Sequence, residues 1–303
     1  SEGGEIPFGQ GNTKFEGYLD AENITLDYLS DHPELQNFDA KFVFLNNSLA
    51  IKGSKISTMG LNVSNFVVNI KDLRSVEVSL SGNVKGELSD VIQYLTITSL
   101  IDSSVASKAT AKGLVDVSFQ FDIPVDENIK AESQFSGSAV FDKAMLKIQP
   151  VKSFEPIFLS DISGILDFSS EGLTSKKITA KFHDKSLIFN IKTIEDSGVQ
   201  VSTSLKSPMS LLLPKQLHKS VDFITGEAKW DISILTSSFT NTEKKDNMQI
   251  RLASDMRGIT VDALKPFAKK KNETVSSIFN VMFLDTDKLS INIKYGDIFS
   301  TDF

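Results

Sequence analysis

The amino-acid sequence predicts a mostly β protein: a long, curled, predominantly antiparallel sheet that forms an elongated apolar groove, with one or two short helices. Three observations carry this prediction. Apolar and polar residues alternate along many short segments, continuous apolar runs are almost absent, and the 22 Phe far outnumber the 4 Tyr and 1 Trp. With 303 residues, 40% of them hydrophobic, and a net charge of −7, the chain is long enough for a large folded body and too apolar for disorder.

The alternation is clearest in residues 115–123, where five apolar side chains face one way and four polar ones face the other. Because successive side chains of a strand point to opposite faces, this period predicts a half-buried strand. A parallel sheet covered on both faces would need continuous apolar runs, so the sheet is predicted to be antiparallel with one face in water. Clusters of turn-forming residues, such as 46–48 and 81–83, are predicted to separate the strands.

Helical patterns are few. Apolar residues in 88–95 have the i, i+3, i+4, i+7 spacing of an amphipathic helix, which predicts a crossover helix over residues 87–101. The segment 261–271 contains Pro266, which disfavours a helix of more than a turn or two.

An internal repeat is visible when the first half of the sequence is aligned with the second. Phe44 falls on Phe168 and Leu49 on Leu173, 124 residues further on in both cases (168 − 44 and 173 − 49). We therefore predict one continuous elongated domain over 1–303, with approximate repeat units at 14–86 and 135–235 and a third unit that begins near 248. A chance match between β-rich segments is the alternative.

A sheet that is apolar on one face must cover that face with another sheet, with helices or with a ligand. The helices are too few. Phe lacks the polar atom for which a buried Tyr or Trp needs a partner, so the excess of Phe favours a wall that faces hydrocarbon. A β-sandwich core filled with Phe explains the same composition, and composition alone leaves both interpretations open.

The residues predicted to line the apolar groove are inward-facing members of the alternating segments. They are Phe66, Val68, Val115, Val117, Phe119, Phe121, Ile123, Phe168, Phe182, Leu187, Phe189, Ile232, Ile291 and Ile293.

Sequence signals for catalysis or for metal binding are weak. There is no Cys, and the three His lie far apart without H-E-x-x-H spacing. Acidic residues outnumber basic ones by 39 to 32, which disfavours nucleic acid as a partner. We therefore predict no catalytic residue, no metal ligand and no cofactor.

Several segments occur in the order of a known family. They are 86–95 (Gly-Glu-Leu-Ser-Asp-Val-Ile-Gln-Tyr-Leu), 121–125 (Phe-Asp-Ile-Pro-Val), 162–168 (Ile-Ser-Gly-Ile-Leu-Asp-Phe), 255–261 (Asp-Met-Arg-Gly-Ile-Thr-Val) and 264–269 (Leu-Lys-Pro-Phe-Ala-Lys). Over residues 82–296 this order resembles the YhdP-type branch of the AsmA-like envelope proteins. Each segment alone is unspecific, and the order over two hundred residues carries the resemblance.

The resemblance implies a repeating β-groove that conducts phospholipid passively between the inner and outer membranes, without catalysis. The chain would then be an internal fragment in the periplasm, tethered to the inner membrane by a segment absent from this chain. Its partners would be phospholipid acyl chains, the two membranes through parts outside this chain, and envelope proteins.

Two other functions remain open at this stage. One is a structural or assembly-assisting envelope β protein, as in the related TamB branch, which does not conduct lipid. The other is a polysaccharide-active enzyme, which would require a pair of carboxylates across a cleft. The run Lys269-Lys270-Lys271 is typical of a solvated loop, with contact to anionic lipid headgroups as the alternative.

Overall fold

A computed structural model describes residues 14–27, 32–74, 77–101, 103–124, 133–149, 155–194, 198–213, 215–236, 248–285 and 288–302. Strands dominate these residues, and the recorded strand pairs are antiparallel. The predicted fold class is therefore confirmed as mostly β and antiparallel, with little helix.

Nineteen strands occur in the described residues. They are β1 Glu16–Leu26, β2 Leu35–Leu45, β3 Ser48–Thr58, β4 Leu61–Ile70, β5 Glu77–Glu87, β6 Ala109–Lys112, β7 Leu114–Pro124, β8 Gln134–Ile148, β9 Ile157–Ser169, β10 Gly172–Phe182, β11 Lys185–Ile194, β12 Gly198–Ser207, β13 Ile224–Gly226, β14 Ala228–Thr236, β15 Met248–Ser254, β16 Ile259–Val261, β17 Ser277–Asp285, β18 Lys288–Tyr295 and β19 Phe299–Asp302. Most of them pair in the order given below for each unit, and β13 pairs with β16 in a separate two-stranded sheet.

Helical structure is confined to short elements in the described part of the chain. They are the α-helices α1 Leu88–Ile97 and α2 Ser103–Ser107, and the 3₁₀ helices Met209–Leu212 and Lys215–Val221. The first lies within the segment 87–101 that was predicted to be helical. The segment 261–271 forms turns and a single β-bridge rather than a helix.

The chain divides into two compact units. Unit 1 comprises Ser1–Ser99, Gly113–Phe141 and Ile165–Glu171; unit 2 comprises Leu100–Lys112, Asp142–Gly164 and Gly172–Phe303. In unit 1 the strands follow the order β1, β2, β3, β4, β5, β7 and the first half of β8. In unit 2 strands β10, β11, β12, β14, β15, β17, β18 and β19 are successive neighbours, and β6 pairs with the second half of β8.

Asparagines with positive φ mark irregular positions in the strands of unit 1. Asn23, Asn37 and Asn65 have φ of 50°, 53° and 51°, and each lies where the register of its strand shifts. Asn enters this left-handed region more readily than most residues. Since bulges bend a strand and increase its twist, these positions give the sheet of unit 1 local curvature.

Two hairpins 124 residues apart share the same turn type. Strands Ser48–Thr58 and Gly172–Phe182 have equal length, and each ends in a two-residue turn. Both residues of each turn have positive φ: Met59 and Gly60 at 47° and 81°, His183 and Asp184 at 44° and 64°. This is the geometry of the type I′ turn, which suits the twist of a hairpin. The predicted repeat remains a prediction, and this shared geometry favours it.

A buried cluster in unit 2 forms around the single tryptophan. Trp230 at the start of β14 is fully buried, and its indole Nε1 donates a hydrogen bond of 3.1 Å to the carbonyl oxygen of Ser207. Met209, Met256, Ile259 and other residues from the connections 208–227 and 255–276 pack around it. These connections form a cap over the end of the sheet at which β12 ends and β14 begins, and we call it the unit 2 cap.

The cap cluster should dominate the stability of unit 2. Trp230→Ala removes the largest buried side chain, so we expect the free energy of unfolding, measured by urea denaturation, to fall by about 3–5 kcal/mol. Phe158→Ala is the control, because Phe158 is 51% exposed and its truncation should change stability by no more than about 0.5 kcal/mol. Equal losses in both variants would contradict this assignment of the core.

Candidate functional site

The strand register of unit 1 aligns apolar residues in a row across seven strands. Each residue of the row lies opposite the next in the neighbouring strand: Leu19, Phe42, Ile51, Val68, Leu80, Phe121 and Phe135. A second row, one pleat away, is formed by Phe44, Leu49, Ile70, Val78 and Ile123. We call the side of the sheet that carries these rows the apolar face of unit 1.

The structure places the predicted lining residues of unit 1 on this face. Along β7 the five apolar residues Val115, Val117, Phe119, Phe121 and Ile123 lie opposite Gly86, Val84, Gly82, Leu80 and Val78 of β5. Phe66 and Val68 share the face through their register with β3, and the ring of Phe168 lies against Gly137. That these side chains line a groove stays a prediction.

Phenylalanine rings on this face lie over glycines of neighbouring strands. A Cβ atom added to Gly82 would approach the Phe119 ring to 3.0 Å, and one added to Gly137 would approach the Phe168 ring to 2.4 Å. At Gly53 an added Cβ would meet the Phe38 ring at 2.9 Å. Each glycine therefore leaves the space in which a ring can lie along the sheet instead of standing out from it.

The side chains in the middle of the apolar face are only partly buried. Phe66, Val68, Phe119 and Phe121 are half-buried although strands pair on both sides of them. A second sheet packed on this face would interdigitate with these residues and bury them. Their exposure therefore argues against a sandwich at this position.

Burial is deepest at the end of the face where α1 follows β5. Ile56, Leu61 and Val115, at the adjoining ends of β3, β4 and β7, are only 4%, 3% and 2% exposed. The apolar residues at the opposite strand ends, such as Ile70 and Ile123, are half-buried. The apolar face of unit 1 is thus closed at one end and more open at the other.

The opposite face of unit 1 is polar. The row next to the first apolar row, on the side away from the second, contains Asp20, Lys41, Lys52, Val67, Ser81, Gln120 and Ser136. Cross-strand contacts on this side include a hydroxyl–hydroxyl hydrogen bond of 3.0 Å between Ser118 and Ser138 and an ion pair between Lys85 and Asp116. Polar pairs of this kind contribute little to stability, and they are typical of a sheet face that is in contact with water.

Unit 2 has an apolar face of the same construction. One row across six strands contains Ile191, Val201, Ile234, Ile250, Val281 and Ile291. The predicted residues Phe182, Leu187, Phe189, Ile232 and Ile293 lie on the same face. The neighbouring row on the other face is polar: Ser202, Ser233, Arg251, Asn280 and Asn292.

The cap of unit 2 holds two aromatic side chains that carry a polar atom. Besides the bond from Trp230, the hydroxyl of Tyr295 donates a hydrogen bond of 3.1 Å to the carbonyl oxygen of Phe267. Desolvation raises the pKa of Tyr295. Both rings thus find backbone acceptors at the capped end, and in the described residues the large rings of the two apolar faces away from this cap are Phe.

The prediction of a solvated lysine run is wrong for Lys269. This residue is 2% exposed, and its ammonium group donates hydrogen bonds of 2.8 and 3.1 Å to the carbonyl oxygens of Ile259 and Lys270. Burial lowers the pKa of Lys269, because desolvation penalises its charged form. The side chain therefore ties β16 to the segment that follows Lys269, while Lys270 and Lys271 are exposed.

The sequence patterns did not identify Gly53, Gly82 and Gly137 as residues of the apolar face. The turn predicted at residues 81–83 is wrong, because β5 runs unbroken from Glu77 to Glu87 through Gly82. A Gly inside a strand often marks a place where another group comes close to the backbone. Which group this is depends on the register of the neighbouring strand, which the sequence does not show.

Neither a metal centre nor a spanning helix is found in the described part of the chain. No group of three His, Asp or Glu side chains there could hold a metal ion. None of its helices is long and apolar enough to cross a membrane.

A comparison with protein families gives a match over almost the whole chain. The family model described as YhdP protein matches residues 2–303. The chain belongs to the YhdP family. It is accordingly a YhdP-type AsmA-like protein, from an envelope family that is linked to lipid transport and is not a family of enzymes. No curated protein matches the chain, and no solved structure does.

The contact between rings and glycines can be tested at Gly137. A Cβ atom there would lie 2.2 Å from the carbonyl oxygen of Ser118 as well as against the Phe168 ring. We expect Gly137→Ala to lower the free energy of unfolding by about 1–3 kcal/mol, since both the backbone and the ring would have to shift.

Gly17→Ala is the matched control, because an added Cβ there meets its neighbours at 3.4 Å or more. Its effect in the same urea titration should stay within about 0.5 kcal/mol. A neutral Gly137→Ala variant would mean that the Phe168 ring does not depend on this glycine.

Proposed function

We propose that this YhdP-family chain is a section of a passive conduit for phospholipid between the inner and outer membranes, with acyl chains held on its apolar faces. The observation that carries the proposal is the partly exposed apolar row across seven strands of unit 1, backed by a polar row on the other side. A broad apolar surface left in water is unfavourable, and hydrocarbon chains are a ligand that covers it without needing hydrogen bonds.

The aromatic composition supports hydrocarbon as the ligand. Phe119 and Phe121 lie with ring centroids 5.7 Å apart, and Phe121 and Phe135 with centroids 5.9 Å apart, so aromatic rings cover part of the face. These rings present no polar atom to an acyl chain. Two rings that do carry one, Trp230 and Tyr295, have their partners at the cap.

The packing of rings over glycines suits movement along the face. With rings laid along the sheet at Gly53, Gly82 and Gly137, the surface has few side chains that stand out as obstacles. Binding on such a surface is non-directional and roughly proportional to the apolar area covered, so an acyl chain can shift along it without losing a specific contact. Headgroups would stay in water, and the proposal requires no catalytic residue.

A charged residue on the apolar face should block lipid while sparing the fold. Phe119 is half-buried, so in Phe119→Glu we expect the free energy of unfolding to fall by about 1–2 kcal/mol. We expect co-purified phospholipid, detected by native mass spectrometry, to fall severalfold in this variant.

The matched control is Gln120→Glu, which introduces the same carboxylate at the next residue of β7, on the polar face. This variant should keep its lipid. The conduit is rejected if the wild-type chain carries no phospholipid, or if both variants lose it equally. An empty wild type that binds partner proteins would instead support the assembly-assisting function.

A further inference from the structure

The apolar face of unit 1 has an open length that can be measured along its strands. On β7 the apolar residues run from Val115 to Ile123, and a strand rises about 3.3 Å per residue. Val115 is 2% exposed, whereas Val117, Phe119, Phe121 and Ile123 are half-buried. The six steps from Val117 to Ile123 (123 − 117) therefore give an open length of roughly 20 Å.

A wall of packed side chains closes one end of this length. Val115 lies opposite Gly86, and an added Cβ on Gly86 would approach Cδ2 of Leu61 to 2.6 Å. Leu61 is 3% exposed. Helix α1 starts at this end, and its Asp90 carboxylate lies beside the turn between β3 and β4, where an added Cβ on Gly60 would meet Oδ2 at 2.9 Å. A hydrocarbon chain that lies along the strands therefore ends at this wall.

The other end of the open length carries polar groups. After Ile70 at the end of β4, Lys71 and Arg74 are exposed. The Arg74 guanidinium donates hydrogen bonds of 3.0 and 2.8 Å to the two carboxylate oxygens of Asp72. The face thus runs from an exposed, charged end to a buried apolar one, in the same sense as a phospholipid runs from its headgroup to its chain ends.

We infer that this open length is a ruler for acyl chains, and that unit 1 selects phospholipids whose chains have at most about 17 carbons. An extended hydrocarbon chain advances about 1.25 Å per bond, because its bonds are about 1.5 Å long and meet at about 111°, so roughly 20 Å accommodates about 16 bonds. The headgroup lies near Lys71 and Arg74, and the chain ends lie against the wall at Leu61 and Val115. The ruler depends on the proposed conduit and adds to it the chain length of its substrate.

The test is site-specific capture of lipid, with para-benzoylphenylalanine incorporated in place of Phe121. This residue lies within the open length, so its photoproduct reports lipid held on unit 1. The chain is offered an equimolar mixture of saturated phosphatidylcholines in detergent micelles, with chain lengths that bracket the limit, from about 12 to about 24 carbons. Mass spectrometry identifies the captured lipid.

Lipids with chains up to the limit should be captured in the proportions offered, because a methylene is covered equally well in a micelle and on the apolar face. Each methylene beyond the limit loses that cover and lowers capture by up to about fourfold. The lipid with chains of about 24 carbons should therefore be captured at least tenfold less, roughly, than the lipid with about 16.

Val117→Phe should shorten the ruler. Its larger side chain extends the wall by two residues, or roughly 7 Å, and lowers the limit to about 12 carbons. Val84→Phe should give the same result from the neighbouring strand, because Val84 lies opposite Val117 and both are half-buried. Val140→Phe is the matched control: Val140 is 44% exposed, lies opposite Asp116 on the polar face, and should leave the limit unchanged.

Capture without a length limit would overturn the ruler and leave the conduit standing. An unchanged limit in both Val117→Phe and Val84→Phe, or an equal change in Val140→Phe, would have the same consequence. Capture of no lipid at position 121 in the otherwise unaltered chain would reject the conduit itself, so the two failures are distinguishable.

Discussion

Every feature of this protein depends on one constraint: its strands are apolar on one side and polar on the other, and neighbouring strands keep those sides in register. In unit 1 the register aligns apolar residues from Leu19 to Phe135 across seven strands. Because pleated side chains alternate, the next row is polar, and one side of the sheet belongs in water. The other side must be covered by apolar groups, either of the protein or of a ligand.

The two units meet this requirement over only part of their apolar faces. In unit 1 the most deeply buried apolar residues lie near the start of α1, and in unit 2 the cap covers Trp230 and its neighbours. Val199 and Phe283, at the other ends of their strands in unit 2, are buried as well. The apolar rows in the middle of both faces are mostly half-buried, which is an unfavourable state for a protein alone in water and a suitable one for a surface that hydrocarbon covers. The proposed conduit follows from this incomplete burial.

The arrangement of aromatic residues follows the same division. A ring without a polar atom can be left to contact hydrocarbon, whereas the indole N–H of Trp230 and the hydroxyl of Tyr295 need acceptors and find them in the cap. The cap also places Leu264 in solvent beside exposed lysines. The same polypeptide segment thus closes one apolar surface and exposes another, much smaller one.

The sequence by itself determined the antiparallel β class, the strand at 115–123, the helix after Glu87 and the family, because alternation, helical spacing and segment order are local or linear properties. Tertiary structure alone decided the rest. Gly82 and its neighbours are residue types common in turns, but Gly82 lies within β5. The Phe119 ring of the neighbouring strand β7 occupies the space that a side chain at this position would fill. Lys269 belongs to a lysine run, but it is buried, and two carbonyl oxygens of the folded cap accept hydrogen bonds from its ammonium group. Both outcomes depend on residues distant in sequence, which only the strand register and the packing of the cap bring together.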